Sequence, residues 1–148
     1  MKIAESERVD IQEILAVIED RINAIYEKDE QRVLANYAPN IISFDLAPPL
    51  KSVGIDTIKK RLQAWFAIYQ GHINQEVAGV EIEGCGDMAH SYCLTRTHGT
   101  STEGEKMDMW YRTTTFYKNI DGKWLITHEH ISDPIDMGTG KVIFDLQP

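Results

Sequence analysis

Two cysteines in 148 residues are too few for a disulfide framework. Cys85 and Cys93 form no C-x-x-C, so no zinc or redox motif is built from them. No apolar run approaches the ~20 residues that span a bilayer. Met1 to Asp10 is charged and holds no signal-peptide apolar stretch, so the expectation is a soluble, cytoplasmic protein without membrane contact. Basic residues are scarce: 15 Lys plus Arg stand against 23 Asp plus Glu, a formal net charge of −8. An acidic chain with no basic run is a poor binder of phosphate-dense nucleic acid. The sequence holds no G-x-S-x-G, no G-x-x-x-x-G-K-[ST] and no G-x-G-x-x-G, which argues against a serine-hydrolase elbow, a P-loop and a dinucleotide fold. Repeats and low-complexity segments are also missing.

What is present is one domain's worth of chain, residues 1–148, with 43% hydrophobic residues. A chain of this size buries roughly 68–70% of its unfolded surface, enough for a core and a cavity. The first half reads as helical. Ile11, Ile14, Leu15, Ile18, Ile22, Ile25 and Tyr26 form one apolar stripe on a helix of about five turns, with Ser6 as a cap. Asp29 caps a short second helix carrying Val33, Leu34 and Tyr37, which Pro39 stops. Ile41 to Leu46 reads as a short strand ended by Pro48-Pro49. Gly54 opens a third helix with Ile58, Leu62, Trp65, Phe66 and Tyr69 on its buried side, and Gly71 follows its end.

From Asn74 the pattern changes to period two. Val80 and Ile82 alternate with Glu81 and Glu83, Gly84 to Asp87 is a turn, and strands follow at Met88–His98, Lys106–Lys118 and Lys123–Ser132. Asn119-Ile120-Asp121-Gly122 is a hairpin turn. Long strands on short connections pair as an antiparallel meander. Helices segregated from such a sheet make the fold class α+β. The long first helix can lie along a curved sheet and leave a pocket at one open end. Val142, Phe144 and Leu146 in the tail from Ile135 form an edge strand or pack on a partner subunit.

Strand parity sorts the candidate site residues. Trp124, Ile126, His128, His130 and Ser132 share one face of the last strand; Asp108, Trp110, Arg112, Thr114 and Phe116 share one face of the strand before it; His90, Tyr92, Leu94, Arg96 and His98 share one face of the strand before that. Each set mixes bulky rings with ionisable groups. A dry core does not hold Asp, Arg and two His without partners, and a fully solvated face is an odd place for two tryptophans. A semi-enclosed cavity meets both demands. Two other arrangements remain open: the same faces meet across a dimer interface, or bulges switch parity along the strands.

Within the cavity reading, Asp108 or His130 acts as general base or acid, and Arg112 or Arg96 holds an anionic group. Asp45, at a strand end beside the proline pair, is a third catalytic candidate, against a turn-capping role. Trp110, His128, Trp65 and Tyr92 complete the ligand-binding candidates, although Trp65 and Tyr92 also suit plain core packing. His128-Glu129-His130 has too incomplete a ligand set for a metal, so no metal and no cofactor are expected.

The order of elements, with Tyr37-Ala38-Pro39-Asn40, the stretch from Phe44 to Leu50, Asp108-Met109-Trp110-Tyr111-Arg112 and the run from Trp124 through His128-Glu129-His130-Ile131-Ser132-Asp133-Pro134, resembles the SnoaL-like branch of the nuclear transport factor 2-like superfamily. The resemblance spans about residues 8–134. It implies a cone-shaped α+β barrel, a curved antiparallel sheet wrapped around the long N-terminal helix, with two further helices. It further implies a homodimer through the outer sheet face and a small-molecule ligand in the cone's interior, at Asp45, Trp65, Arg96, Asp108, Trp110, Arg112, His128 and His130. The superfamily includes ketosteroid isomerase, whose site pairs an Asp base with a Tyr and a protonated Asp; no residues here match that trio one by one. The expected function is therefore small-molecule binding or cofactor-free, isomerase- or cyclase-type proton transfer on a carbonyl or carboxylate compound. The alternative is a non-catalytic dimeric association module.

Overall fold

The computed structural model describes residues 8–148. Helix α1 (Ile11–Tyr26) begins at Asp10, whose carboxylate accepts the Gln12 N–H at 2.9 Å. Ser6 lies outside the described residues. Spacings of three and four bring Ile14 and Ile25 to the same side of the helix, and both are fully enclosed, whereas Ile11 and Tyr26 end the helix in solvent. Asp29 caps α2 (Glu30–Leu34) through the Arg32 N–H at 3.1 Å, as its position predicts.

The chain leaves α2 earlier than expected. Asn36 turns it, its amide bonded to Asp20 Oδ2 at 3.1 Å and to Arg32 O at 3.2 Å, while its own carbonyl accepts from Ile126 N at 2.8 Å. Tyr37 and Pro39 therefore belong to β1 (Tyr37–Phe44), not to the helix. Pro39 is tolerated because the pairing of β1 shifts register between Tyr37 and Ile42, where a missing N–H breaks no ladder bond. A two-residue strand, β2 (Ser52–Val53), precedes α3 (Ile55–Ile68), which opens at Gly54 with φ 88° and buries Ile58, Leu62 and Phe66.

Four long strands follow: β3 (Tyr69–Cys85), β4 (Met88–Ser101), β5 (Lys106–Ile120) and β6 (Lys123–Ser132). The expected meander is borne out. β3 starts directly from α3, so Gly71, expected just beyond the helix, instead sits at φ 69° inside a strand irregularity. Asp121 and Gly122 both take positive φ, 52° and 84°, the tight turn that the hairpin pattern predicts. The strand order is β2-β1-β6-β5-β4-β3. One feature departs from the antiparallel expectation: β1 runs parallel to β6, so the sheet is mixed. It also remains open, with β2 and β3 as its outermost strands, rather than closing into a barrel, and Arg8 bridges β3 at Cys85.

Helix α1 packs on β3 and β6, and Trp124 Nε1 donates to Glu13 Oε2 at 2.7 Å to hold it there. The core joins Ile14 and Ile25 of α1 to Ile41, Ile73, Trp124 and Ile126 of the sheet. Past β6 the tail folds on itself, with Ile135 bridging Val142. Phe144 O then accepts from Trp110 N at 3.3 Å, which ties the tail to β5 by one backbone bond beyond the end of β6. No helix among the described residues is long and apolar enough to cross a membrane.

Candidate functional site

The sheet has an inner face under α1 and an outer face turned away from it. Ser91, Cys93 and Thr95 of β4, Thr113, Thr115 and Tyr117 of β5, and Ile126 and Glu129 of β6 line the space against Val17, Ile18, Arg21 and Ile22 of α1. Strand alternation therefore puts Tyr92 and Arg96 of β4, and Asp108, Trp110 and Arg112 of β5, on the outer face. The expectation that these residues wall a hollow beneath α1 is corrected here. The inner set is rich in hydroxyls, but they satisfy one another. Ser91 and Tyr117 bond at 2.9 Å, Thr95 and Thr113 at 2.9 Å, and Thr97 and Tyr111 at 2.7 Å, with the Gln75 amide donating to both of the last pair at 3.0 Å. Burial pushes the Tyr111 and Tyr117 phenols and the Cys93 thiol up, so all three stay neutral.

On β6 the facing switches midway. Trp124 and Ile126 are buried as parity predicts, but Glu129, three residues beyond Ile126, is buried too. The register breaks between Phe116 and Tyr117 of β5, and Thr127 is the extra residue. His128 and His130 are thereby turned outward and Glu129 inward, the reverse of the expected pattern. Nothing in the sequence marks the bulge.

Glu129 is the centre of the inner polar site. Its Oε2 accepts from Tyr37 Oη at 3.0 Å and from Arg21 Nη2 at 3.5 Å, and its Oε1 accepts from Ser43 Oγ at 3.2 Å. Arg21 Nε donates to Tyr37 Oη at 2.9 Å, and the guanidinium stands 5.7 Å from the Tyr37 ring centre. Burial works against the Arg21 charge, but the Tyr37 and Glu129 oxygens outweigh it and hold its pKa above the ordinary value. Burial also raises the Tyr37 phenol, partly offset by Arg21. The cavity beside this network measures about 40 Å³. A water needs ~10–15 Å³, so the cavity has room for only a few waters; a drug-sized ligand needs roughly 300 Å³ or more.

The predicted residues fall into three separate places. Arg96, Asp108 and Trp110 meet Phe144, Asp145 and Gln147 of the tail around an outer groove of about 280 Å³. Arg96 is fully engaged there, with Nε and Nη2 on Asp108 at 2.8 Å each and Nη1 on Glu76 at 3.1 Å. That bidentate pair holds the Asp108 carboxyl below its usual range. Asp45 pairs with Arg61 of α3 and caps its own turn through Leu46 N at 2.6 Å; Trp65 packs beside Phe66 and Tyr69, away from the cavity. The rest lie on the open part of the outer face in two rows set by the register. One row runs Glu83, His90, Phe116, His128, Ile42; the next runs Glu81, Tyr92, Thr114, His130, Phe44. Phe44, Phe116 and both histidines touch edge-on or tilted, and Tyr92 and Phe116 are 53% and 43% exposed. Among the described residues no cluster of His, Cys, Asp and Glu has a geometry that holds a metal.

The model of the SnoaL-like domain matches residues 14–136. The chain belongs to the SnoaL-like family. None of the curated proteins compared with it matches. Among solved structures, this SnoaL-like chain is similar to a nuclear transport factor 2-like protein of unknown function from Pseudomonas putida, at 30% identity and TM-score 0.84, over 93% of this chain and 95% of that one. It shares its fold with a ketosteroid isomerase-like protein from Erwinia carotovora, at 19% identity and TM-score 0.70, over 82% and 93% of the two chains. It shares it also with the association domain of calcium/calmodulin-dependent protein kinase II from Caenorhabditis elegans, at 17% identity and TM-score 0.66, over 82% and 94%. The SnoaL-like fold is thus common to proteins named for isomerase-like and for association roles.

Proposed function

We propose that this SnoaL-like domain is an association module that pairs with a second copy of itself through the outer sheet face. The carrying observation is the contiguous surface of exposed Ile42, Tyr92, Leu94, Phe116 and His130, with Phe44 and His128 half-buried among them, which no element among the described residues covers. Apolar patches of that kind on a folded domain mark interaction sites. Charge supports a second copy as the occupant. The patch is flanked by Glu81 and Glu83 on the β3 side and by Arg112 on β5, all exposed, so a self-complementary contact can set basic against acidic margins. Aromatic residues and Arg are the types enriched in such contacts. In this role Tyr92, Arg112, His128 and His130 serve the interface instead of a ligand. The kinship in fold with an association domain fits the same reading.

Sedimentation velocity at micromolar concentration tests it. Wild type is expected as a dimer, and Phe116→Glu and Tyr92→Glu as folded monomers. A wild-type monomer at tens of micromolar sinks the proposal.

A second reading rests on the interior, where Arg21, Tyr37 and Glu129 place a cation, a phenol and a carboxylate beside the cavity. A buried ion pair is seldom the most stable filling for a core, which favours a use for it. The site suits a carboxylate or carbonyl compound of a few heavy atoms, with Arg21 and the Tyr37 hydroxyl as hydrogen-bond donors and the Glu129 carboxylate as acceptor. Thermal-shift screening with formate, acetate and urea tests this, Tyr37→Phe and Glu129→Gln being the controls. Stabilisation that survives both changes removes the site from consideration.

A further inference from the structure

The outer face carries the imidazoles of His90, His128 and His130 among its aromatic rings. His128 sits in the middle of it. Phe44 of β1 meets its ring edge-on, with centroids 4.7 Å apart, and Phe116 of β5 lies tilted against it at 5.7 Å. Its Nδ1 is 2.8 Å from Ile42 O. A carbonyl only accepts, so Nδ1 carries the hydrogen, and Nε2 is the nitrogen left to take a second proton.

The charged neighbours decide what that proton would meet. On β4, across Phe116, His90 has Glu83 Oε2 of β3 at 4.0 Å from its own Nε2. On β5 the charged groups of this face nearest to His128 are Arg112 and Lys118, both cationic; Lys106 and Asp108 stand at the far end of the strand, where Arg96 holds Asp108. On β1, Asp45 lies beyond Phe44 and is already paired with Arg61; on β2, Val53 lies beyond Ile42, with Lys51 just before the strand. Along β6, the neighbours are His130 on the same side and Glu129 on the other, where Arg21, Tyr37 and Ser43 hold it. Among the described residues His128 forms no ion pair. A proton on it therefore adds a charge to the aromatic centre of the face with no counter-ion paired to it among the described residues.

We infer that protonation of His128 opens the association of two copies, making the outer face a pH-sensitive contact. This inference rests on the association reading above. Imidazole changes charge in the range of about pH 5 to 8. When neutral, His128 adds ring surface to an apolar contact. When charged, it must be stripped of water to be buried there, and a two-fold contact meets that cost twice. Water solvates the charge in the separated copies, so acid favours separation.

The experiment is sedimentation velocity of the full chain at about pH 8 and about pH 5.5 at one ionic strength, for wild type, His128→Asn and His128→Gln. Circular dichroism at both pH values checks that each remains folded. The amides keep a donor for Ile42 O but take no proton in this range. Wild type is expected as a dimer at the higher pH, with its dissociation constant raised about tenfold or more at the lower. Both variants are expected to dimerise at both, with a change under about threefold. A wild-type dimer equally tight at both pH values overturns this inference and leaves the association reading standing. Variants that keep the wild-type response, or that are both monomeric at the higher pH, overturn it also. A wild-type monomer at the higher pH overturns both readings.

Discussion

Glu129 and His130 are adjacent in the chain and face opposite sides of the sheet: Glu129 is enclosed beneath α1, 4% exposed, and His130 is exposed against Phe44 on the outer face. The two faces have different chemistry because of where the register places these neighbours. The inner side gathers the polar groups that need partners. The outer side gathers rings without a cover.

The first prediction concerns the inner network. Glu129→Ala leaves the Arg21 guanidinium partly buried without its carboxylate, and removing one partner of a buried ion pair costs about 3–5 kcal/mol. Tyr37→Phe removes the hydroxyl that links the two and should cost about 1–3 kcal/mol. Urea unfolding monitored by tryptophan fluorescence reads both. Equal midpoints for wild type and Glu129→Ala would mean that the network contributes nothing to the fold.

A second prediction follows from the Arg96–Asp108 pair. The Arg96 guanidinium hydrogen-bonded to Asp108 holds its carboxyl in the folded state below the ordinary carboxylate value. The stability this supplies is present above the unfolded pKa and is lost as pH falls through the depressed folded value. Asp108→Asn should therefore be slightly less stable than wild type at neutral pH and indistinguishable from it once acid has protonated Asp108 in the folded state. Because the pair is largely open to solvent, the difference at neutral pH should be small and should shrink in salt. Unfolding midpoints at pH 7 and in acid, at low and high salt, check it. A difference that persists in acid would point to a cause other than the ion pair.

The elements were legible in the sequence because their signals are local. Asp29 and Gly54 open their helices, Asp121-Gly122 turns its hairpin, and β6 spans Lys123–Ser132 as read from alternation. The family was legible from Tyr37–Asn40, Phe44–Leu50, Asp108–Arg112 and the run from Trp124 through His128-Glu129-His130 to Pro134. Which face points inward was not legible. Parity along a strand gives two sets of residues but not which set the helix covers, and composition misled. Ser91, Thr95, Thr113 and Tyr117 look like a solvated set, yet they pair off as buried hydroxyls. Trp110 looks like an inner residue, yet it is half-covered on the outside by the tail. Glu129 was hidden by a one-residue bulge, and a slip of one residue exchanges the faces of everything beyond it.

The paired hydroxyls give a third prediction. Ser91→Ala strands the Tyr117 phenol in a buried site and should cost about 1–3 kcal/mol. Tyr117→Phe strands the serine in the same way. The double variant removes donor and acceptor together, so it should be less destabilised than the sum of the two, by about 1 kcal/mol or more. A thermodynamic cycle from urea unfolding measures the coupling, and strict additivity would show that the bond carries no stability of its own.

The last prediction tests the bulge itself. Thr127 is the extra residue opposite the break between Phe116 and Tyr117, and Ile126 and Glu129 face inward on either side of it. Deleting it makes Ile126 and Glu129 second neighbours, which plain alternation places on one face. Trp124, Ile126 and Glu129 then stay inward, His128 and His130 stay outward, and the pairing with β5 runs on without a break. What is lost is the local bend that a bulge gives its strand. The deletion should therefore still unfold cooperatively. Thr127→Val, which keeps the residue count and loses only a weak bond to Phe116 O at 3.4 Å, should unfold within a few degrees of wild type. Scanning calorimetry on the two variants separates the residue count from the side chain. A deletion that no longer unfolds cooperatively would show that the bend at Thr127, and not the facing of its neighbours alone, is needed for the fold.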